Sequence, residues 1–204
     1  MASTPNNTLN VSVGKGLQGG YCFIAPAGTN LPKDNKSELD AAFMNVGYLG
    51  EDGVNFADSS NSDSFYDMNG DTIDTSNGSV EKNFTVKFVE IKRDTLAIIR
   101  GEENVADENG LITAYDRGPN DANYAAVFEL LLKNGRKWRR VVPNCKIGEL
   151  GDMAVNYSEL VGREVTMAAL KDATANAYYV DYIDSTETTA TAQPAAAKVA
   201  RAAQ

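Results

Sequence analysis

The chain has 204 residues with 43% apolar side chains and a formal net charge of −9, which suits one globular domain with a sizeable core. It contains no histidine, and this excludes Ser-His-Asp chemistry, histidine-based zinc sites and the commonest general base near neutral pH. Most familiar hydrolase mechanisms are therefore excluded. Because no nucleophile–base pair and no set of metal ligands occurs along the chain either, we predict no enzymatic activity, no metal site and no cofactor.

The cysteines and the start of the chain indicate a soluble protein made in a cytoplasm. Cys22 and Cys145 lie far apart and form no C-x-x-C pair, so we interpret them as buried free thiols. Residues 1–20 lack the basic start and the apolar run of a signal peptide. No stretch approaches the roughly 18 apolar residues of a membrane span, so no membrane insertion is expected.

Residues 1–12 are polar and predict a flexible N-terminal arm, which is followed by one domain over residues 13–183. Glycines at positions 14, 16, 19 and 20 suggest a phosphate-binding loop at first sight. They lack the G-K-[ST] sequence and precede a strand instead of a helix whose N-terminus could hold phosphate. We interpret them as a glycine-hinged turn into the first strand.

A predicted strand over residues 43–49 leads into an acidic turn that contains Glu51 and Asp52. Neighbouring residues in a strand or turn point apart, so this pair is not predicted to act as a catalytic acid and base. We interpret the two acids as part of a solvated turn or an interface.

Residues 54–79 form a polar segment between predicted strands and predict a long extended loop. A loop of this length inside a compact domain is usually functional or disordered. Its Asp67, Asn69 and Asp71 imitate a calcium loop, but glycine stands fourth instead of sixth and position twelve is Gly78. We expect the loop to contact another copy of the chain. The candidate self-assembly residues are Asp58, Asp63, Phe65, Tyr66, Asp67, Met68 and Asp71.

The next two elements are a strand and a helix. Val80, Phe84, Val86 and Phe88 share one parity, which predicts a half-buried strand. A short helix is predicted at about residues 94–100, with Asp94 as its N-cap and a glycine as its C-terminal stop.

Asn-Gly at positions 134 and 135 predicts a hairpin between strands over residues 125–133 and 136–147. Basic residues surround this turn. One hypothesis is a DNA contact in which Trp138 stacks on a base. The favoured alternative is contact with acidic neighbours in the same or an adjacent subunit, because the acidic first half of the chain needs basic partners. The candidate inter-subunit basic residues are Arg136, Lys137, Arg139 and Arg140.

Strands over residues 164–170 and 177–183 complete the predicted domain. Residues 184–204 form an Ala/Thr-rich C-terminal extension that cannot bury enough surface to offset its ordering entropy. We expect this extension to be flexible in an isolated subunit.

The order and spacing of these segments resemble the major tail tube proteins of long-tailed, non-contractile (siphovirus-type) bacteriophages. The resemblance covers residues 13–183. Its segments are VGKGLQGGYCFIAPAGTNLP, LDAAFMNVGYLGEDGVN, the NGDT turn, EKNFTVKFVEI, RGEENV, GRKWRRVVPNCKI and AYYVDYID.

The resemblance implies a mainly β (α+β) fold in which two packed antiparallel sheets form a barrel-like β-sandwich, with one flanking helix. It implies a structural virion protein whose homohexameric rings stack into a hollow tail tube, through which phage DNA passes to the host without specific binding. It also implies tape measure, tail terminator and distal tail proteins as partners, and a virion tail assembled in the host cytoplasm. By position, residues 54–79 match the family loop that reaches the next subunit or ring.

In such a tube, Glu51 and Asp52 are candidate lumen or inter-subunit acids. An acidic lumen repels phosphates, whereas a basic lumen would trap DNA. Our hypothesis is that these acids and the aspartates of the loop face the lumen or pair with the basic hairpin of a neighbour. The alternatives are another phage structural or decoration β-protein, and a ligand-binding β-sandwich module that uses Tyr66 and Trp138 and stays monomeric or dimeric.

Overall fold

A computed structural model describes residues 11–185. Residues 1–10 and 186–204 lie outside the described part, and with them most of the predicted N-terminal arm and C-terminal extension. The described residues form eleven strands and one α-helix. They are β1 (Lys15–Gly16), β2 (Cys22–Pro26), β3 (Met44–Asn45), β4 (Leu49–Tyr66), β5 (Thr72–Phe88), α1 (Arg93–Arg100), β6 (Val105–Glu108), β7 (Leu111–Ala114), β8 (Asn123–Leu131), β9 (Lys137–Leu150), β10 (Arg163–Ala169) and β11 (Val180–Ile183).

Most strands belong to one large antiparallel sheet with the order β3-β2-β8-β9-β10-β5-β4. Strand β1 adds to β8 and β11 adds to β9, while β6 and β7 form a separate two-stranded sheet. The prediction of a mainly β fold with two sheets and one helix is confirmed. Within residues 11–185 the large sheet does not close into a barrel, so β3 and β4 remain its edges.

The core forms because the large sheet curls back on itself. Phe56 on β4 lies 5.3 Å, centroid to centroid, from Phe128 on β8, although three strands separate β4 from β8 in the sheet. Phe84 on β5 meets Phe128 edge to face at the same distance. Edge-to-face aromatic pairs of this kind stabilise a core beyond the effect of burial alone. Cys22 and Cys145 are free thiols in this core, as predicted, and burial raises the pKa of both.

A second apolar layer covers the outer face of the same sheet. Val127 on β8 and Val141 on β9 point away from the phenylalanine core and pack with Phe43, Leu31 and Leu39 of the long connection between β2 and β3. Both faces of the central strands are therefore buried, which gives the sheet a sandwich-like cover.

Helix α1 closes one end of the core with Ala97, Ile98 and Ile99. It begins one residue earlier than predicted, and Asp94 lies in its first turn instead of capping it. The cap is formed at Lys92, whose backbone N–H donates to Thr95 Oγ1 at 3.2 Å. No helix among the described residues is long and apolar enough to cross a membrane.

The polar segment 54–79, predicted as a long extended loop, forms the outer part of a β-hairpin. Strands β4 and β5 remain paired from the core out to Tyr66 opposite Thr72. The tip is closed by Asp67, whose carboxylate accepts from the backbone N–H groups of Asn69 and Asp71, each at 2.8 Å. The alternation that identifies a strand arises only where one face is buried, and over the outer part of this hairpin both faces lie in water.

Candidate functional site

The hairpin projects beyond the sheet as a two-stranded ribbon, which we call the arm (residues 59–81). Strand β10 pairs with β5 only from Lys82 to Phe88, so over the arm neither outer edge is paired within the described residues. An isolated two-stranded ribbon is marginally stable in water, and open strand edges readily pair with another chain. The arm therefore has the properties of a surface that a partner covers.

The outer half of the arm exposes large apolar side chains. Phe65 is 54% exposed, Tyr66 63% and Met68 98%. Ile73 on the facing strand is 69% exposed. Exposed apolar side chains that gather on one projection typically mark an interaction site.

The aspartates predicted for self-assembly divide into two groups. Asp58 forms an ion pair with Lys82 at the root of the arm. Hydrogen bonds from the backbone N–H of Asp71 and other tip residues lower the pKa of Asp67, which keeps this turn-forming carboxylate charged. Asp63 and Asp71 are exposed and form no ion pair with any residue from 11 to 185. Asp58 and Asp67 therefore stabilise the arm itself, whereas Asp63 and Asp71 are available to a partner.

Glu51 and Asp52 lie on a bulge of β4 beside an open groove of about 930 Å³. The glycine-rich turn between β1 and β2 also lines the groove, and Phe56 and Trp138 contribute apolar lining. Both acids are exposed. The part of the chain that the structure describes holds no group of three or more Cys, Asp or Glu that could bind a metal.

Arg139 is buried within its own chain. It is 4% exposed, its Nε donates to Glu129 Oε1 at 2.7 Å, and its Nη2 donates to the Ser37 carbonyl at 2.9 Å. A further bond from Nη1 reaches the Asp34 carbonyl at 2.7 Å. The sequence left open whether Arg139 contacts acidic residues of its own chain or of an adjacent subunit. The structure pairs it with Glu129 of its own chain, so we no longer count Arg139 among the inter-subunit residues.

Arg140 is also occupied inside the chain. Its Nε and Nη2 donate to the two carboxylate oxygens of Asp181, each at 2.8 Å, and its guanidinium lies 4.3 Å from the ring centroid of Phe56. Trp138 donates from Nε1 to Asp181 at 2.7 Å. Tyr179 packs on the same guanidinium, and burial raises the pKa of its phenol to about 12. Trp138 is thus committed to a contact in its own chain, which weakens the idea that it stacks on DNA.

Replacing Asp181 with Asn should destabilise the subunit by about 0.5–1 kcal/mol at pH 7, because charge-assisted hydrogen bonds to Arg140 and Trp138 weaken at a partly exposed site. Burial alone would raise the pKa of Asp181, but the bonds from Arg140 and Trp138 outweigh it and lower the pKa. A lowered carboxyl pKa stabilises the fold above the unfolded value of about 3.9, and this contribution disappears as the pH falls through the folded pKa. Urea unfolding of the wild type and the Asp181→Asn variant from pH 7 to pH 3 should show that the difference between their free energies of unfolding shrinks below about pH 4. A difference that stays constant down to pH 3 would contradict this assignment.

The remaining basic residues form a patch that the sequence alone did not reveal. Asn35 Nδ2 donates to Asp184 Oδ1 at 2.7 Å, and the Lys137 backbone N–H donates to Asp184 Oδ2 at 2.9 Å. These bonds hold the 33–37 segment against the turn between β8 and β9. The patch, which we call the basic corner, consists of Lys33, Lys36, Lys133, Arg136 and Lys137.

Comparison with known proteins gave one family and a set of distant structures. A family model described as phage tail tube protein matches residues 7–196. Among solved structures, the chain is similar to one in the cryo-EM structure of an extracellular contractile injection system, the PVC sheath-tube complex in its extended state. The two chains share 10% identity with a TM-score of 0.37, over 81% of this chain and 90% of the other. No curated protein matches the chain.

Proposed function

The chain belongs to the phage tail tube protein family, a structural and not an enzymatic family, and from this premise we propose that it is the major tail tube subunit of a long-tailed, non-contractile phage. In this proposal, six copies form a ring, and rings stack into a hollow tube that delivers phage DNA to the host. Tape measure, tail terminator and distal tail proteins would contact the tube at its lumen and ends. Assembly would take place in the host cytoplasm.

The observation that carries the proposal is the arm. It extends unpaired strand edges and exposed apolar side chains away from the body, which is costly for an isolated subunit. Among the residues that the structure describes, the edges β3 and β4 of the large sheet have no further strand beside them as well. Contact between different surfaces of neighbouring copies closes a ring and covers such edges in every subunit at once. A monomeric ligand-binding module would gain nothing from either feature.

The acids of the groove fit a role at the lumen or between subunits. Glu51 and Asp52 are exposed and form no ion pair among the described residues. A wall that carries such carboxylates would repel phosphates and allow DNA to slide without binding. The net charge of −9 is compatible with a lumen of this kind.

The test is assembly of the pure protein. Concentrated protein imaged by negative-stain electron microscopy should show hollow tubes with a regular ring repeat. Size-exclusion chromatography with light scattering should show the subunit concentration at which rings appear. A protein that stays monomeric or dimeric at every concentration would contradict the proposal and favour the binding-module alternative.

A further inference from the structure

Charge is strongly segregated along this chain. Residues 37–81 contain ten acidic side chains and no Lys or Arg, whereas residues 130–140 contain five basic side chains and no acid. In the folded subunit the arm is acidic and the basic corner is its counterpart. Opposite charges on separate exposed surfaces favour contact between copies when they do not meet within one copy.

We propose that the arm of one copy docks on the basic corner of the neighbouring copy in the ring, an inference that rests on the proposed assembly into rings. The two surfaces differ, so the contact is heterologous, and repeating it around an axis closes a ring. The occupant of the basic corner is thus a second copy of this chain.

One face of the arm has the chemistry for this contact. Phe65 lies directly opposite Asp74 in the β4–β5 register, and Asp63 is two residues before Phe65, so the three side chains share a face. Asp63 and Asp74 are exposed, and neither forms an ion pair with a Lys or Arg in the described part of the chain. The face therefore offers an aromatic ring between two carboxylates.

The basic corner offers the complement. Lys33, Lys36 and Lys133 are exposed, and none of them lies within ion-pair distance of a carboxylate among residues 11–185. Asp184 interacts electrostatically with Lys36 and Lys137, but the five basic side chains outnumber it. Arg136 uses its Nε for the Asp184 carbonyl at 2.9 Å. Lysine and arginine can pair with the carboxylates of the arm while their aliphatic stems or charged heads lie on the ring of Phe65.

Strand register places both surfaces at the same end of the sheet. Ala169 of β10 lies opposite Lys82 of β5 on one side and opposite Cys145 of β9 on the other, so β5 and β9 run parallel. The residues before Lys82 form the arm, and the residues before Cys145 lead back to the basic corner. Because both surfaces lie at the same end of the sheet, rotating a copy about an axis parallel to the strands can bring its arm to the basic corner of the next copy. Translating a copy along that axis would instead separate the two surfaces.

The experiment uses two full-length charge-reversal variants. The arm variant is Asp63→Lys/Asp74→Lys, and the corner variant is Lys36→Glu/Lys133→Glu. Each should assemble at least about tenfold less than wild type, because like charges would face each other at every contact. An equimolar mixture should recover most of the assembly, since alternating copies restore opposite charges at every contact of an even-numbered ring.

A control variant, Glu108→Lys/Glu159→Lys, makes the same change in net charge as the arm variant, at exposed positions outside both surfaces, and should assemble like wild type. Light scattering and electron microscopy would measure ring and tube formation in all samples. If the mixture assembles no better than either variant alone, or if both variants assemble like wild type, the docking inference is wrong and the tube function stands. Wild-type protein that forms no rings in the same experiment would overturn the proposed function together with the inference.

Discussion

Replacing residues 61–79 with a two-residue Asn-Gly turn should abolish tube formation while the subunit stays folded. Ser60 lies opposite Val80 in the register, so a two-residue turn can join the strands at this pair. The deletion removes the exposed apolar side chains of the arm and its distal carboxylates, and it removes no core residue. We expect the free energy of unfolding to change by less than about 1 kcal/mol, as for other surface changes.

Negative-stain microscopy measures the loss of tubes, and urea unfolding confirms that the body is intact. A matched control is Thr75→Ser/Ser76→Thr, which changes two side chains of the arm but keeps its length, charge and apolar residues. This variant should form tubes like wild type. Tubes of normal yield from the shortened chain would show that the arm is not an assembly contact.

Replacing Arg139 with Met should destabilise the subunit by about 3–5 kcal/mol, the usual cost of leaving one charge of a buried pair without its partner. Glu129 is only 7% exposed and would lose the guanidinium that compensates its burial. The carbonyls of Asp34 and Ser37 would lose their donors as well. The loss is measured by urea unfolding at pH 7.

Two further variants separate the causes of this loss. The double variant Arg139→Met/Glu129→Met removes both charges, and we expect it to recover part of the stability, because a buried pair can often be exchanged for apolar side chains. What it does not recover measures the anchoring of the 33–37 segment. The neighbouring Arg140→Met variant is the control and should lose only about 1 kcal/mol, since its ion pair is partly exposed. A loss below about 1 kcal/mol for Arg139→Met would contradict the buried-pair assignment.

The buried pairing of Arg139 could not be predicted from the sequence. A two-residue Asn-Gly turn at positions 134 and 135 implies a register in which Glu129 faces Arg140. In the structure the connection is longer, with a short 3-10 turn at Lys133–Gly135 and Leu131 opposite Lys137, so Glu129 faces Arg139 instead. This shift of one residue decides which arginine is buried against Glu129, because neighbouring residues of a strand point to opposite faces.

The arm could be predicted from the sequence only in part. Its polar composition indicated a segment that projects from the core, and residues 59–79 do project from it, whereas Val54 and Phe56 pack against the core. Its β-ribbon conformation could not be predicted from side-chain periodicity, because a ribbon with both faces exposed to water shows no alternation of apolar and polar residues. Backbone hydrogen bonds and the Asp67 turn determine it instead.

By itself, the sequence determined the local features of this protein: the half-buried strand of β5, the hairpin of β8 and β9, the short helix and the polar projection. Each of these depends on residues close together in the chain, whose spacing and turn chemistry are visible in the sequence. Only the tertiary structure decided that the sheet curls until Phe56 meets Phe128, and that the 33–37 segment joins the β8–β9 turn to form the basic corner. The physical reason is that these contacts join segments about 70 to 100 residues apart, and sheet twist and curl, which accumulate strand by strand, bring them together.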